Sequence, residues 1–279
     1  MTPKFSPGPL TREEFDLFWE QGYVVVRGVL TREEVQHYGR LILDLLPRDL
    51  HIPEYWKVYS GRIKPFYTPG NQSFDSPEFI PLWQNPILYA AMAQIIGYPR
   101  LLIKDGSVGI TMRNDSAHDD PLSHPLHLDA AAPDEADNFL FSEEEVELGG
   151  CYYLTDVEPR GGGVHVVPGG HRIVEAEARA VANGRQLHDR WCNIKHLKTV
   201  EVTGQAGDFV VMHHLMPHAA SHNHNATTRL AHFFRYWRDD QPYRLGDRPG
   251  DPHPGKTYND LQQKAMSPLG RKLLRVDPW

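Results

Sequence analysis

The residues that first suggest chemistry in this 279-residue chain are His127-Leu128-Asp129 and a set of histidines about ninety positions downstream. Alternation along an extended strand points residues i and i+2 to one face. His127 and Asp129 would therefore project together if the short run after Pro125 is a strand. Two imidazoles and one carboxylate on the same side of a metal make the facial set used by non-haem Fe(II), with the opposite positions open. His213, His214, His218, His222 and His224 compete for the third place, and one neutral imidazole would complete the set.

The His-x-Asp pair carries little weight alone, because chance places roughly two His-x-Asp/Glu pairs in a chain of this composition. The second one, His118-x-Asp120, lies in the polar segment Asn114 to Ser123 and reads as a surface turn. Its downstream company distinguishes the first. Gly207-Asp208 turns into the apolar run Phe209–His213, which delivers histidines beside a further strand, Leu230–Trp237. Arg229 opens that strand, sharing a face with Ala231 and Phe233. A guanidinium pointing into a barrel needs an anion, since a buried unpaired charge is very costly. Its planar fork suits a carboxylate through two parallel hydrogen bonds.

The elements that would position these residues fall into two zones. Over the first hundred residues the pattern is mostly helical. Thr11 with Glu14 and Thr31 with Glu34 form capping boxes, each followed by an apolar stripe. Tyr23–Val26 reads as a short buried strand between them, and Asn85-Pro86 to Gly97 as a third helix. Pro53 to Ser76 is aromatic, rich in proline and glycine, and reads as a long loop. From Leu101 onward short β-rich runs appear: Leu101–Lys104, Val108–Arg113, Leu126–Asp129, Cys151–Leu154, Val164–Val167, Thr199–Thr203, Phe209–His213 and Leu230–Trp237. Their number and irregular spacing predict a sandwich or barrel rather than β-α-β units. Val174–Asn183 reads as a helical insertion, and 239–279 as a proline-rich tail with one helix near Tyr258–Met266. The expectation is a mainly β fold with a helical layer: one domain over 1–279, with 1–100 packed outside a jelly-roll core at 101–238.

Composition narrows the partners. A net charge of −7 argues against nucleic acid or an anionic membrane. No apolar run approaches membrane-spanning length, and Met1 to Phe5 lacks the apolar start of a signal peptide. Two cysteines, Cys151 and Cys192, are too few for a disulfide framework and fit a reducing compartment. A soluble cytoplasmic protein is expected.

Four segments resemble the phytanoyl-CoA dioxygenase family of Fe(II)/2-oxoglutarate oxygenases. They are Phe15–Gly28; His127-Leu128-Asp129; Tyr153–Val157 with Gly161 to His171; and Gly207-Asp208 followed by His218, Asn223 and Arg229. Together they span about 12 to 237. Ala220 stands where the family usually has serine, and Gly170 where its Pro-Gly-Ser-His turn has serine. The resemblance selects His218 among the downstream histidines, because Asn223 and Arg229 then fall at the family's spacing. It implies a double-stranded β-helix (cupin-like jelly roll) in which His127, Asp129 and His218 hold Fe(II) and Arg229 meets the distal carboxylate of 2-oxoglutarate. Met112 and Tyr152, on the neighbouring strands, would line that co-substrate pocket. The implied reaction hydroxylates a small-molecule metabolite with O2 and converts 2-oxoglutarate to succinate and CO2. The carboxylate at 129 fills the place that halogenating relatives leave to chloride.

Arg113 and the aromatics Trp56, Tyr59, Phe66 and Tyr67 are candidates for a lid or pocket wall. Two other functions fit the same residues: a cupin-like dioxygenase or isomerase that does not use 2-oxoglutarate, and a non-catalytic jelly-roll binding module.

Overall fold

A computed structural model describes residues 3–45, 62–63, 76–114, 120–128, 146–180, 194, 196–241 and 257–279. The chain begins with α1 (Arg12–Gln21), β1 (Tyr23–Val26) and α2 (Arg32–Leu43). Both helices start as their capping boxes predict. The Thr11 and Thr31 hydroxyls accept from the third helical amide, and the Glu14 and Glu34 carboxylates each accept from the threonine amide at 2.8 Å. α1 stops at Gly22, whose φ of 82° is the left-handed conformation that glycine adopts without penalty.

Then come β2 (Arg62–Ile63), a 3-10 turn at Pro77–Phe79, α3 (Ile80–Trp83) and α4 (Pro86–Ile96). The β-rich part holds β3 (Leu101–Thr111), β4 (Leu148–Tyr153), β5 (Val164–Val166), α5 (Gly170–Ala180), β6 (Val200–Val202), β7 (Phe209–His213), β8 (His218–Ala219) and β9 (Arg229–Arg238). Two short helices, α6 (Asp260–Lys264) and α7 (Pro268–Leu273), follow.

The strands form two antiparallel sheets, ordered β1-β7-β4-β9-β3-β2 and β6-β5-β8. The smaller sheet is extended beyond β8 by isolated bridges, His127 to His218 and Leu122 to Ser221. This is a double-stranded β-helix, and its large sheet is apolar on both sides. One face, carrying Cys151, Tyr153, Val210, Met212 and Ala231, packs against Val164, Val166 and Val202 of the small sheet. The other, carrying Tyr152, Phe209, Leu230, Phe234 and Tyr236, packs against the helices through Phe18, Ile42, Trp83, Leu88 and Met92. Alternation sends neighbouring residues of β9 into different cores.

Several expectations change in detail. β3 is one strand rather than two runs, with a register shift between Lys104 and Ser107. A side chain on Gly106 at that break would collide with the Phe233 carbonyl. The first hundred residues are not wholly outside the barrel, since β1 pairs with β7 in the large sheet. Nor is the C-terminus a loose tail. Leu273 and Leu274 are buried, and the Trp279 indole donates to the Leu101 carbonyl at 2.9 Å. The Gln84 side chain bonds Ala265 and Ser267. No described helix is long and apolar enough to cross a membrane.

His232, on the helix-facing side of β9, is fully buried, stacks on Phe79 and receives the Trp83 indole N–H at 3.4 Å. Burial pushes its pKa down from 6.5 to about 3, and those of His171 and His214 to about 4. These groups are neutral when folded and protonate more readily when unfolded. The unfolded chain therefore binds more protons below about pH 6.5, and stability falls with acidity until the native values are reached. We expect His232→Gln, which can still accept from Trp83, to make this loss shallower by at most about 1.4 kcal/mol per pH unit. Urea unfolding between about pH 6 and 4.5 measures the slope, and an unchanged slope would contradict the assignment.

Candidate metal centre

His127 and His218 meet across the edge of the small sheet. The His127 amide donates to the His218 carbonyl at 2.9 Å, and the His218 amide returns the bond at 3.0 Å. Their ring centroids lie 4.4 Å apart. Each Nδ1 faces a carbonyl two residues upstream: Pro125 for His127 at 3.3 Å and Met216 for His218 at 2.9 Å. A carbonyl only accepts, so Nδ1 carries the proton in both rings and Nε2 keeps its lone pair. That is how metal-binding imidazoles are commonly oriented.

The other downstream histidines go elsewhere. His213 and His214 are buried against α1 and α5, within 5.2 Å and 4.4 Å centroid contacts that include His171. His222 and His224 line an outer pocket with Arg160, His165 and Glu201. Among the described residues no three histidine, cysteine or acidic side chains gather as a metal site. Asp129, the third expected ligand, lies outside the described residues, as do His118, Asp119, Cys192, Trp56, Tyr59, Phe66 and Tyr67. Arg113 is described and exposed, with its backbone bridged to Asn223.

Directly opposite residues of an antiparallel pair share a face. His218 lies opposite Val166, which belongs to the core between the sheets, so the pair of imidazoles opens toward that interior. Arg229 is brought to the same interior from the other sheet. Its side chain is only 1% exposed, its Nε donates to the Gly162 carbonyl at 3.0 Å, and its guanidinium lies 5.6 Å from the Phe233 ring centroid. Its Nη1 is buried with no partner among the described residues. Thr111 sits opposite Arg229 in the β3–β9 register, and its hydroxyl is likewise buried with no partner among the described residues. A Cβ on Gly109 would strike the Phe233 ring at 2.8 Å and only touch Nη1 at 3.7 Å, so glycine there makes room for the ring that flanks the guanidinium. Gly162 supplies its carbonyl from a φ of 81°, and a Cβ would crowd Asn223 and Thr111 at 3.1 Å.

Met112 and Tyr152 do not join this pocket. Both are fully buried in the core between the large sheet and the helices, and the Tyr152 hydroxyl donates to the Leu82 carbonyl at 3.1 Å. They are one residue out of phase. The interior-facing neighbours are Thr111 and Tyr153, which only the register of β3 and β4 with β9 reveals. Tyr153 ties the two sheets by donating to the Val202 carbonyl at 2.8 Å and accepting the Val164 amide at 3.1 Å, and burial raises its pKa.

A family model described as phytanoyl-CoA dioxygenase (PhyH) matches residues 18–231. No curated protein matches the chain. Solved structures with the same fold include the non-heme alpha ketoglutarate dependent carbocyclase SnoK from nogalamycin biosynthesis. It is 24% identical over 88% of this chain and 94% of that one, with a TM-score of 0.55. The epimerase SnoN, in complex with Fe3+, alpha ketoglutarate and nogalamycin RO, is 20% identical over 85% and 90%, with a TM-score of 0.51. HygX from Streptomyces hygroscopicus, bound to nickel, 2-oxoglutarate and hygromycin B, is 19% identical over 83% and 88%, with a TM-score of 0.53.

Asn223 lies beside Gly162 and braces the end of β3. Fully buried, it donates to the carbonyls of Thr111 at 3.1 Å and Thr227 at 2.8 Å, and accepts the Asn225 amide at 2.9 Å. Asn223→Ala should lower the unfolding free energy by about 2 to 3 kcal/mol, because it strands several buried polar groups at once. Urea denaturation measures this, and a loss within about 0.5 kcal/mol of zero would refute it.

Proposed function

The chain belongs to the phytanoyl-CoA dioxygenase family, and from that premise we propose that it is an Fe(II)/2-oxoglutarate-dependent oxygenase that hydroxylates a small-molecule metabolite. The observation that carries this reading is the Arg229 guanidinium, buried beside an unpartnered Thr111 hydroxyl and facing the same interior as His127 and His218. An uncompensated buried cation is costly, and a dicarboxylate reaching in from a metal would offset that cost. A cupin-like enzyme without 2-oxoglutarate, or a simple binding module, would have no use for a guanidinium kept there.

His127, Asp129 and His218 would hold the iron, as the facial set requires. Arg229 would bind the distal carboxylate of 2-oxoglutarate through charge-assisted hydrogen bonds, with the Thr111 hydroxyl as a further donor. When bound, iron and 2-oxoglutarate supply the oxidising chemistry, in which O2 converts the keto acid to succinate and CO2 and a substrate carbon gains a hydroxyl group. The chain contributes orientation and dryness. The backbone bonds between His127 and His218 set the ligand spacing, their Nδ1 protons stay on carbonyls, and Phe233, Ala231 and Tyr153 keep water from the interior. The family name does not transfer an acyl-CoA substrate, since one fold and site serve many substrates.

Anaerobic addition of Fe(II) and 2-oxoglutarate should produce a visible metal-to-ligand charge-transfer band, and its absence would sink the proposal. A metabolite screen that yields products heavier by one oxygen would separate hydroxylation from epimerisation or ring closure.

Two substitutions separate the roles within the pocket. Arg229→Ala should weaken 2-oxoglutarate binding by roughly thirtyfold or more while leaving iron affinity in place. Thr111→Val keeps the branched shape and removes an unpartnered hydroxyl. It should leave the ligand-free protein equally or more stable, yet weaken 2-oxoglutarate by about tenfold. Titration of the charge-transfer band and thermal unfolding measure the two effects. A valine variant that binds 2-oxoglutarate like wild type would remove Thr111 from the site.

A further inference from the structure

The β7–β8 turn, residues 213–217, delivers His218, and the shape of that turn depends on a histidine that faces away from the metal centre. The buried Leu215 amide donates to His213 Nδ1 at 3.1 Å, and the Met216 amide donates to the His213 carbonyl at 2.8 Å. The Met216 carbonyl then accepts the Nδ1 proton of His218 at 2.9 Å. One residue thus fixes two consecutive amides of the turn, and the turn presents the carbonyl that holds the His218 proton on Nδ1 and so puts the ring's lone pair on Nε2.

We propose that His213 is a positioning residue for the metal centre, acting through the Leu215 amide and the Met216 carbonyl on the ring of His218. The inference rests on reading His218 as an iron ligand.

The surroundings of His213 suit this role. Its ring is wedged between His214, His171, Trp19 and Phe18, with centroids 4.4, 5.2, 6.0 and 6.3 Å away, so it has no room to swing off the amide. Burial holds it neutral at physiological pH, which keeps the accepting lone pair on Nδ1. The end of α1 closes the other side. Gly22 sits so close that a side chain there would strike both His171 Nδ1 and Met216 Cε. Leu215 itself is 2% exposed, so without His213 its amide would have no water to turn to, and the turn would have to rearrange.

The geometry also selects the substitutions that test the idea. Asparagine places its carbonyl oxygen the same number of bonds from the backbone as His Nδ1, and side-chain acceptors at that distance bond the amide two residues on. Glutamine moves the acceptor one bond further out, and leucine removes it. The test uses full-length wild type, His213→Asn, His213→Gln, His213→Leu and His218→Ala. Each is titrated anaerobically with Co(II), without 2-oxoglutarate, at a temperature where circular dichroism shows it folded. Affinity is read by calorimetry and ligand geometry by the visible Co(II) bands. His213→Gln and His213→Leu should bind Co(II) roughly ten- to hundredfold more weakly with altered bands, while His213→Asn stays within about threefold of wild type with its spectrum intact. A purely structural role would lower thermal stability in all three without sorting their spectra by acceptor position. If the leucine variant does not fold, the asparagine and glutamine pair decides the matter. Wild-type binding by the glutamine variant, or equal weakening by asparagine, overturns the proposal. Wild-type affinity in His218→Ala would instead overturn the ligand assignment beneath it.

Discussion

A guanidinium shut away from water, with one donor unpartnered among the described residues, is the constraint around which the interior is built. In a low-dielectric core an isolated charge costs several kcal/mol even after the protein relaxes. Arg229 has no carboxylate ion-paired to it among the described residues. It has the Gly162 carbonyl, the Phe233 ring face and an empty-handed Thr111 hydroxyl. These groups keep the charge oriented without neutralising it. Gly109 makes room for the Phe233 ring beside it, and Gly162 takes a left-handed backbone to bring its carbonyl close. Such an arrangement favours an anion over water beside the guanidinium, because pairing would offset the cost of the buried charge.

The same constraint explains which parts of the site were legible in the sequence. The candidate histidines, their order and the arginine are local facts about residues, and the structure brings His127 to His218 and Arg229 into the interior. The strands Tyr23–Val26 and Phe209–His213 also occur with the bounds their apolar runs suggest, and the capping boxes form as read. Met112 and Tyr152 failed for a physical reason. A sheet with one wet face announces its parity through polar residues, and a slip of one position shows at once. Here every residue of β4 is buried, because one face meets the helices and the other meets the second sheet. Without alternation in polarity, nothing local says whether 152 or 153 faces the arginine. Only the register with β9 does, and register is a long-range property.

The other features that escaped reading share that character. β8 spans two residues, His218 and Ala219, and exists only because β5 and the His127 segment flank it. No propensity marks so short a strand. The C-terminal residues read as a tail because proline and polar residues dominate 239–257. Yet Leu273, Leu274 and Trp279 complete the helical layer, with Tyr89 stacked on the Trp279 ring at 6.0 Å. Their partners lie near the start of β3 and in α3 and α4, far away in sequence.

The two imidazoles are held by the chain rather than by what they would bind. Reciprocal backbone bonds fix His127 against His218, and each ring is turned by a carbonyl of its own segment, two residues upstream. The local device is the same on both strands, though Pro125 and Met216 that provide it are unlike. In small metal-nucleated domains the ligands have no fixed relation until the ion arrives, so binding free energy is largely folding free energy. Here the pairing belongs to the small sheet and survives on main-chain bonds alone. The iron would therefore add little to the stability of the barrel and would meet ligands already ordered. That division would let the fold carry the entropic cost of assembly, while the affinity of the proposed site would be set by ring orientation and by what the turn before His218 imposes on it.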